Sequence, residues 1–118
     1  MLAYNLETIF AEKLETVLSR NIANTRPRDF YDIYTLYTLR STNCDIAVLK
    51  QALEVTTTCR GSHAVLEKYM DIVDNIRGNA QMRSFWERYQ KEFDYAADIS
   101  FDDTCDTILV IMDSIYKV

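Results

Sequence analysis

Two stretches near the start of the chain place charged side chains among residues that otherwise read as helical core. In LETIFAEKLETVLSR, Glu12 and Lys13 sit among Ile9, Phe10, Leu14 and Val17. In RPRDFYDIYTLYTLR, Arg28, Asp29 and Asp32 sit among Phe30, Ile33, Leu36 and Tyr37. Charges on inward helical positions are costly unless they are paired or used. The spacing of Arg28, Asp29 and Asp32 along one helix lets both Arg28 and Asp29 approach Asp32. Two carboxylates on one face could hold a divalent metal or orient a base. An arginine beside them could grip a phosphate with two parallel hydrogen bonds. The structural alternative is that Asp29 caps the helix N-terminus while Arg28 and Asp32 form a weak surface pair.

Glu12 and Lys13 are adjacent, so they point about 100° apart and do not pair with each other. One of them can face the second helix; the other reading is a solvated edge of an amphipathic helix. Arg20, Arg26 and Arg28 surround the loop SRNIANTRP, which could receive an anion ahead of a helix N-terminus. Equally, they serve loop solubility and helix capping. Asp94, Asp98, Asp102, Asp103 and Asp106 lack the calcium-loop spacing and its glycine, and read as charge complementation of a helix start. Phe85, Trp86, Tyr89, Phe93 and Tyr95 could stack on bases, but their spacing favours a core stripe. One histidine, His63, supports no nucleophilic triad. Gly61 and Gly78 supply no phosphate-cradling loop.

Positioning these residues requires helices. With Gly 2 and Pro 1, breakers are few, and apolar periodicity predicts about six helices in one all-α bundle. The first is expected over Leu6–Leu18 with Asn5 as N-cap, the second over Pro27–Arg40 with Thr25 as cap and Pro27 in the first turn. A third is expected over Asp45–Arg60, capped by Asn43, with Ile46, Leu49 and Leu53 inward and Gly61 as stop. Its end is weakened by Thr56, Thr57 and Thr58. A fourth spans Ala64–Ile76, broken by Gly78-Asn79; a fifth spans Ala80–Phe93. The sixth spans Phe101–Tyr116, capped by Ser100.

The chain has 118 residues, 48% hydrophobic and 26% charged, which suits one domain with a sizeable core. A net charge of -5 disfavours general nucleic-acid binding. The charge is uneven: Lys13, Arg20, Arg26, Arg28 and Arg40 balance the acids of the first part, whereas the last part is dominated by aspartate. A polyanion would therefore meet the N-terminal half. Cys44, Cys59 and Cys105 are unpaired in pattern and read as reduced, buried thiols of a cytoplasmic protein. No zinc or other metal site is expected, no run spans a membrane, and no secretory leader is evident.

The segments YNLETIFAEKLETVLSR and NTRPRDFYDIYTLYTL resemble the C-terminal helical part of the AbiEii/AbiGii abortive-infection toxins, a nucleotidyltransferase-like family of two-gene toxin–antitoxin systems. The resemblance rests on an E-x-x-x-A-E-K-L helix, here Glu7 to Leu14, and an R-x-[KR]-D-x-[YF]-D-[IL] helix, here Arg26 to Ile33. It implies that Lys13 touches nucleotide phosphates, that Asp29 and Asp32 line or brace a cleft, and that Arg26 or Arg28 holds phosphate or a buried carboxylate. Glu12 falls on the same motifs.

The family's Gly-Ser and D-x-D core is missing from the chain; Gly61-Ser62 has no D-x-D after it. The expectation is that residues 1–118 form the helical C-terminal domain of a truncated nucleotidyltransferase-like protein. Such a domain would close one side of an NTP and acceptor cleft and be inert alone. Mg2+ and NTP would then serve only the full-length protein. Expected partners are the missing N-terminal core, an antitoxin and an RNA acceptor, with no membrane. The alternative is a standalone helical protein–protein interaction module without catalytic activity.

Overall fold

A computed structural model describes residues 5–24 and 26–116. Among these, six α-helices follow one another without a strand. They are α1 (Leu6–Arg20), α2 (Pro27–Arg40), α3 (Ile46–Arg60), α4 (Tyr69–Gly78), α5 (Ala80–Glu92) and α6 (Phe101–Tyr116). The fold is all-α, as the periodicity predicts.

Caps account for most of the boundaries. The Asn5 side chain accepts a hydrogen bond from the Thr8 N–H at 2.8 Å and opens α1. Ser100 Oγ accepts from the Asp103 N–H at 2.9 Å, and Asp103 Oδ2 accepts from the Ser100 N–H at 3.2 Å, a reciprocal capping box that opens α6. Gly61 ends α3 at φ 72°, a left-handed conformation that a side chain would strain. Thr25, expected to cap α2, lies outside the described residues.

Three expectations need correction. The cap of α3 is Asp45, not Asn43: Asp45 Oδ1 accepts from the Ala47 and Val48 N–H groups at 2.9 and 3.3 Å. Asn43 is instead used up in a 3₁₀ turn that follows α2. Ile46 is exposed rather than inward. Helix α3 continues through the three threonines to Arg60; Thr57 is buried and its hydroxyl donates back to the Leu53 carbonyl at 2.9 Å. The expected fourth helix divides into a 3₁₀ turn, His63–Leu66, and α4. Lys68, at φ -113° and ψ 13°, swings the chain between them, so that both Leu66 and Tyr69 are buried.

Helix α1 packs against α3 and α2, α2 against α6, and α4 against α6. Phe10, Leu14, Val17 and Leu18 of α1 meet Phe30 and Ile33 of α2, Leu49 and Leu53 of α3, and Ile108 and Met112 of α6 in one core. Each such fully buried side chain contributes roughly 1.5–3 kcal/mol. This packing fixes the crossing of α1 and α2, where the charged motifs meet. Of the cysteines, only Cys105 is buried; Cys44 is half-buried and Cys59 exposed, which corrects the expectation of three buried thiols. Burial pushes the Cys105 thiol up to about 11.

Candidate cleft at the crossing of the first two helices

Lys13 is carried by α1 one turn from Phe10 and Val17, both buried, so its side chain leaves the core at the edge facing α2. Asp32 is carried by α2 between Phe30 and Ile33, also buried, and leaves the core towards α1. The two meet: Lys13 Nζ donates to Asp32 Oδ2 at 2.9 Å. Their side chains remain 29% and 25% exposed, so the pair sits at a rim and is open to an incoming group. Arg28 Nε lies 3.9 Å from the same Asp32 oxygen, but the Arg28 side chain is 78% exposed and otherwise projects into solvent.

A shallow cleft of about 300 Å³ opens at this crossing, lined by Ile9, Lys13, Tyr31, Asp32, Thr35 and Leu36. The Lys13 ammonium has three donors and uses one on Asp32. It keeps spare donor capacity for an anion, while Asp32 holds it in place.

Asp29 does not join Asp32. It sits in the first turn of α2, at the positive end of the helix dipole, and accepts from Asn24 Nδ2 at 3.4 Å. Asn24 is the buried residue that sequence reasoning missed: its Oδ1 also accepts from the Arg26 N–H at 2.8 Å. This Asx-type turn holds the entry to α2, and an asparagine followed two residues later by a helix start is the local signal that could have found it. Just before it, Asn21 closes α1 at φ 51°, where asparagine is tolerated better than most residues, and its N–H donates to the Val17 carbonyl. Arg20 and Arg26 are exposed around this turn. Glu12 is half-exposed, and among the described residues its carboxylate has no hydrogen-bond or ion-pair partner. The structure thus brings Lys13, Asp32 and Arg28 together, and leaves Glu12, Arg26 and Asp29 around them.

An aromatic group adjoins the cleft. Tyr31 of α2 packs on Tyr95, with ring centroids 4.8 Å apart, and on Tyr89 at 6.1 Å. The Tyr89 and Tyr95 hydroxyls are 2.9 Å apart. Burial raises the Tyr89 phenol first, the Tyr95 hydroxyl and the Asp32 charge add to it, and the Arg28 charge opposes them. The expected core stripe holds for Trp86 and Tyr89, which are buried, whereas Phe85 and Phe93 are half-buried and Tyr95 is exposed.

The acidic run near the end of the chain goes elsewhere. Asp102 accepts from Arg83 at 2.7 Å and from Arg77 at 3.3 Å, and Asp106 accepts from Arg77 at 2.6 Å. These pairs tie α6 to α4 and α5. Among the described residues no group of three or more His, Cys, Asp or Glu side chains is placed to hold a metal ion. No described helix is long and apolar enough to cross a membrane.

A family model described as Nucleotidyl transferase AbiEii toxin, Type IV TA system matches residues 1–107 and so takes in both charged motifs and most of the fold. The chain belongs to the AbiEii family. Membership makes it a toxin-related, nucleotidyltransferase-like protein of type IV toxin–antitoxin systems. No curated protein and no solved structure matches the chain. In this AbiEii-family chain the two motifs, separate in sequence, are joined in space by the Lys13–Asp32 pair.

Proposed function

We propose that this chain is the helical domain of an AbiEii-type nucleotidyltransferase toxin, and that the α1–α2 crossing forms one wall of a cleft for a nucleotide and its acceptor. The observation that carries this is the pairing of Lys13 with Asp32 at 2.9 Å at a half-open rim, in a chain whose family match covers both motifs. Lys13 and Arg28 supply cations for phosphate oxygens. Asp32 positions the Lys13 ammonium. Asp29, held by Asn24, steadies the first turn of α2. Glu12 and Arg26 flank the rim.

Among the described residues no three His, Cys, Asp or Glu side chains gather in one group. The metal and the attacking group belong, in this reading, to a catalytic sheet core on another part of the polypeptide. RNA is the acceptor we favour, because a cationic rim suits a phosphodiester chain. An antitoxin partner follows from the type IV toxin–antitoxin family.

The test is nucleotide transfer from labelled NTPs by the protein joined to its catalytic core, comparing wild type with Lys13→Ala. We expect transfer and growth arrest to fall at least tenfold while the helical circular-dichroism spectrum is unchanged. Full transfer and full toxicity in Lys13→Ala would sink the proposal.

A further inference from the structure

The exposed aromatic group beside the cleft is unusual for a chain whose other large rings are mostly covered. Tyr95 is 52% exposed although it belongs to a close cluster with Tyr31 and Phe93, at centroid distances of 4.8 and 5.3 Å. It is not a loose loop residue. It sits in the 3₁₀ turn Asp94–Ala96, and the segment after it is tied to α5 by two hydrogen bonds to the Ile99 carbonyl. These come from Trp86 Nε1 at 2.9 Å and Gln90 Nε2 at 2.7 Å. The Tyr89 hydroxyl holds the Tyr95 hydroxyl from below. A ring fixed on one side and open on the other is pre-organised to stack, and such stacking needs no particular base.

A cation lies on the helix that carries Tyr31, and its charge is felt at Tyr89. Arg28 and Tyr31 are three residues apart on α2 and so share a face. The Asp32 charge near Arg28 is already engaged by Lys13 at 2.9 Å against 3.9 Å for Arg28. Arg28 therefore keeps its planar donors for another anion, and its fork matches two phosphate oxygens.

We propose that Tyr95, backed by Tyr31 and Phe93, is a stacking platform for an unpaired nucleobase, and that Arg28 holds the phosphate attached to that base. The ligand is thus a nucleobase with its phosphate, from either a free nucleotide or the single-stranded end of an RNA. This rests on the proposed handling of nucleotides by the α1–α2 crossing, and names a second contact for the same ligand.

The experiment is a titration of the full chain with three probes: ATP, a six-nucleotide single-stranded oligoadenylate, and inorganic tripolyphosphate. Tyr95→Leu removes the ring and keeps an apolar side chain; Tyr95→Phe keeps the ring. We expect Tyr95→Leu to weaken at least one of the two adenine-bearing probes about tenfold. Tyr95→Phe should stay within about twofold of wild type, and tripolyphosphate should not distinguish the three proteins. Arg28→Gln should weaken all three probes. Loss confined to the oligoadenylate identifies an RNA end, and loss for ATP as well identifies the nucleotide unit as sufficient.

Equal affinity of wild type and Tyr95→Leu for both adenine probes overturns the platform, as does wild-type binding of neither. The two proposals fail separately. If Lys13→Ala abolishes transfer while Tyr95→Leu binds normally, the platform falls and the cleft stands. If Tyr95→Leu loses base binding while Lys13→Ala transfers normally, the reverse holds.

Discussion

Lys13 and Glu15 lie two residues apart on α1, both charged, both paired with a distant residue, and in opposite situations. Glu15 is 3% exposed and bonded at both oxygens: Ser62 Oγ donates to its Oε2 at 2.8 Å, and Arg60 donates to its other oxygen. Those partners come from the end of α3 and the turn after Gly61, so the carboxylate staples the α3 terminus to α1. Lys13 faces the other neighbour, α2, has one named acceptor, and keeps water contact. A charge that is buried and bonded at both oxygens is out of a ligand's reach. A charge held by one bond at a rim is within it. The difference separates a closed ionic group from an open one on a single helix. It also shows why charge on an inward-looking helix does not by itself identify a site.

The sharpest way to break the comparison is to remove the staple. Glu15→Ala strips a buried carboxylate from two donors and should cost about 2 kcal/mol of stability, since hydrogen bonds to charged groups are worth roughly 1.5–3 kcal/mol. Thermal or urea unfolding reads it directly. Burial alone would raise the Glu15 carboxyl, but the bonds from Ser62 and Arg60 outweigh it and leave it below the ordinary value of 4.5. A depressed folded value means that the contribution is present above that ordinary value and lost as pH falls through the lower folded one. The wild type should therefore lose stability on acidification more steeply than Glu15→Ala. Parallel acid limbs would show that the carboxylate carries no linked stability.

Lys13→Met sharpens the other side. A half-exposed pair contributes about 0.5 kcal/mol, so unfolding should barely change. A loss comparable to that of Glu15→Ala would make Lys13 a second staple and remove the distinction.

The smallest effect concerns the thiols, which probe the same packing without touching it. Alkylation at neutral pH should modify exposed Cys59 first, half-buried Cys44 more slowly, and Cys105 only on unfolding. Burial, and then the charges of Glu7 and Asp45, raise the Cys44 thiol and add to its delay. Rapid labelling of Cys105 in native protein would contradict the closed core around α6.

Much of the fold was legible because its determinants are local. Asn5, Ser100 and Gly61 cap or stop helices within a few residues of themselves, and the apolar stripes of α1, α2 and α6 repeat at helical spacing. The errors came where a distant contact competed with a local signal. The cap of α3 passed to Asp45, whose N–H is also held by Glu7 Oε2 at 2.8 Å across the bundle. The break at Lys68 follows from the need to bury both Leu66 and Tyr69. The candidate cleft was half legible. Lys13, Arg28 and Asp32 stand out as charges among core residues, but nothing in their spacing says that Lys13 turns to α2.

By itself, the amino-acid sequence determined that this chain is helical, where most of the helices start and stop, and which two motifs it shares with the AbiEii family. Those properties depend on periodicity, capping and residue identity, which act over one or two turns. Only the tertiary structure decided that Lys13 closes on Asp32, that Glu15 is held by Arg60 and Ser62, and that Tyr95 lies on the open side of its aromatic cluster. Pairings between residues far apart in the chain are set by how helices cross, and helix crossing is set by the packing of the whole core.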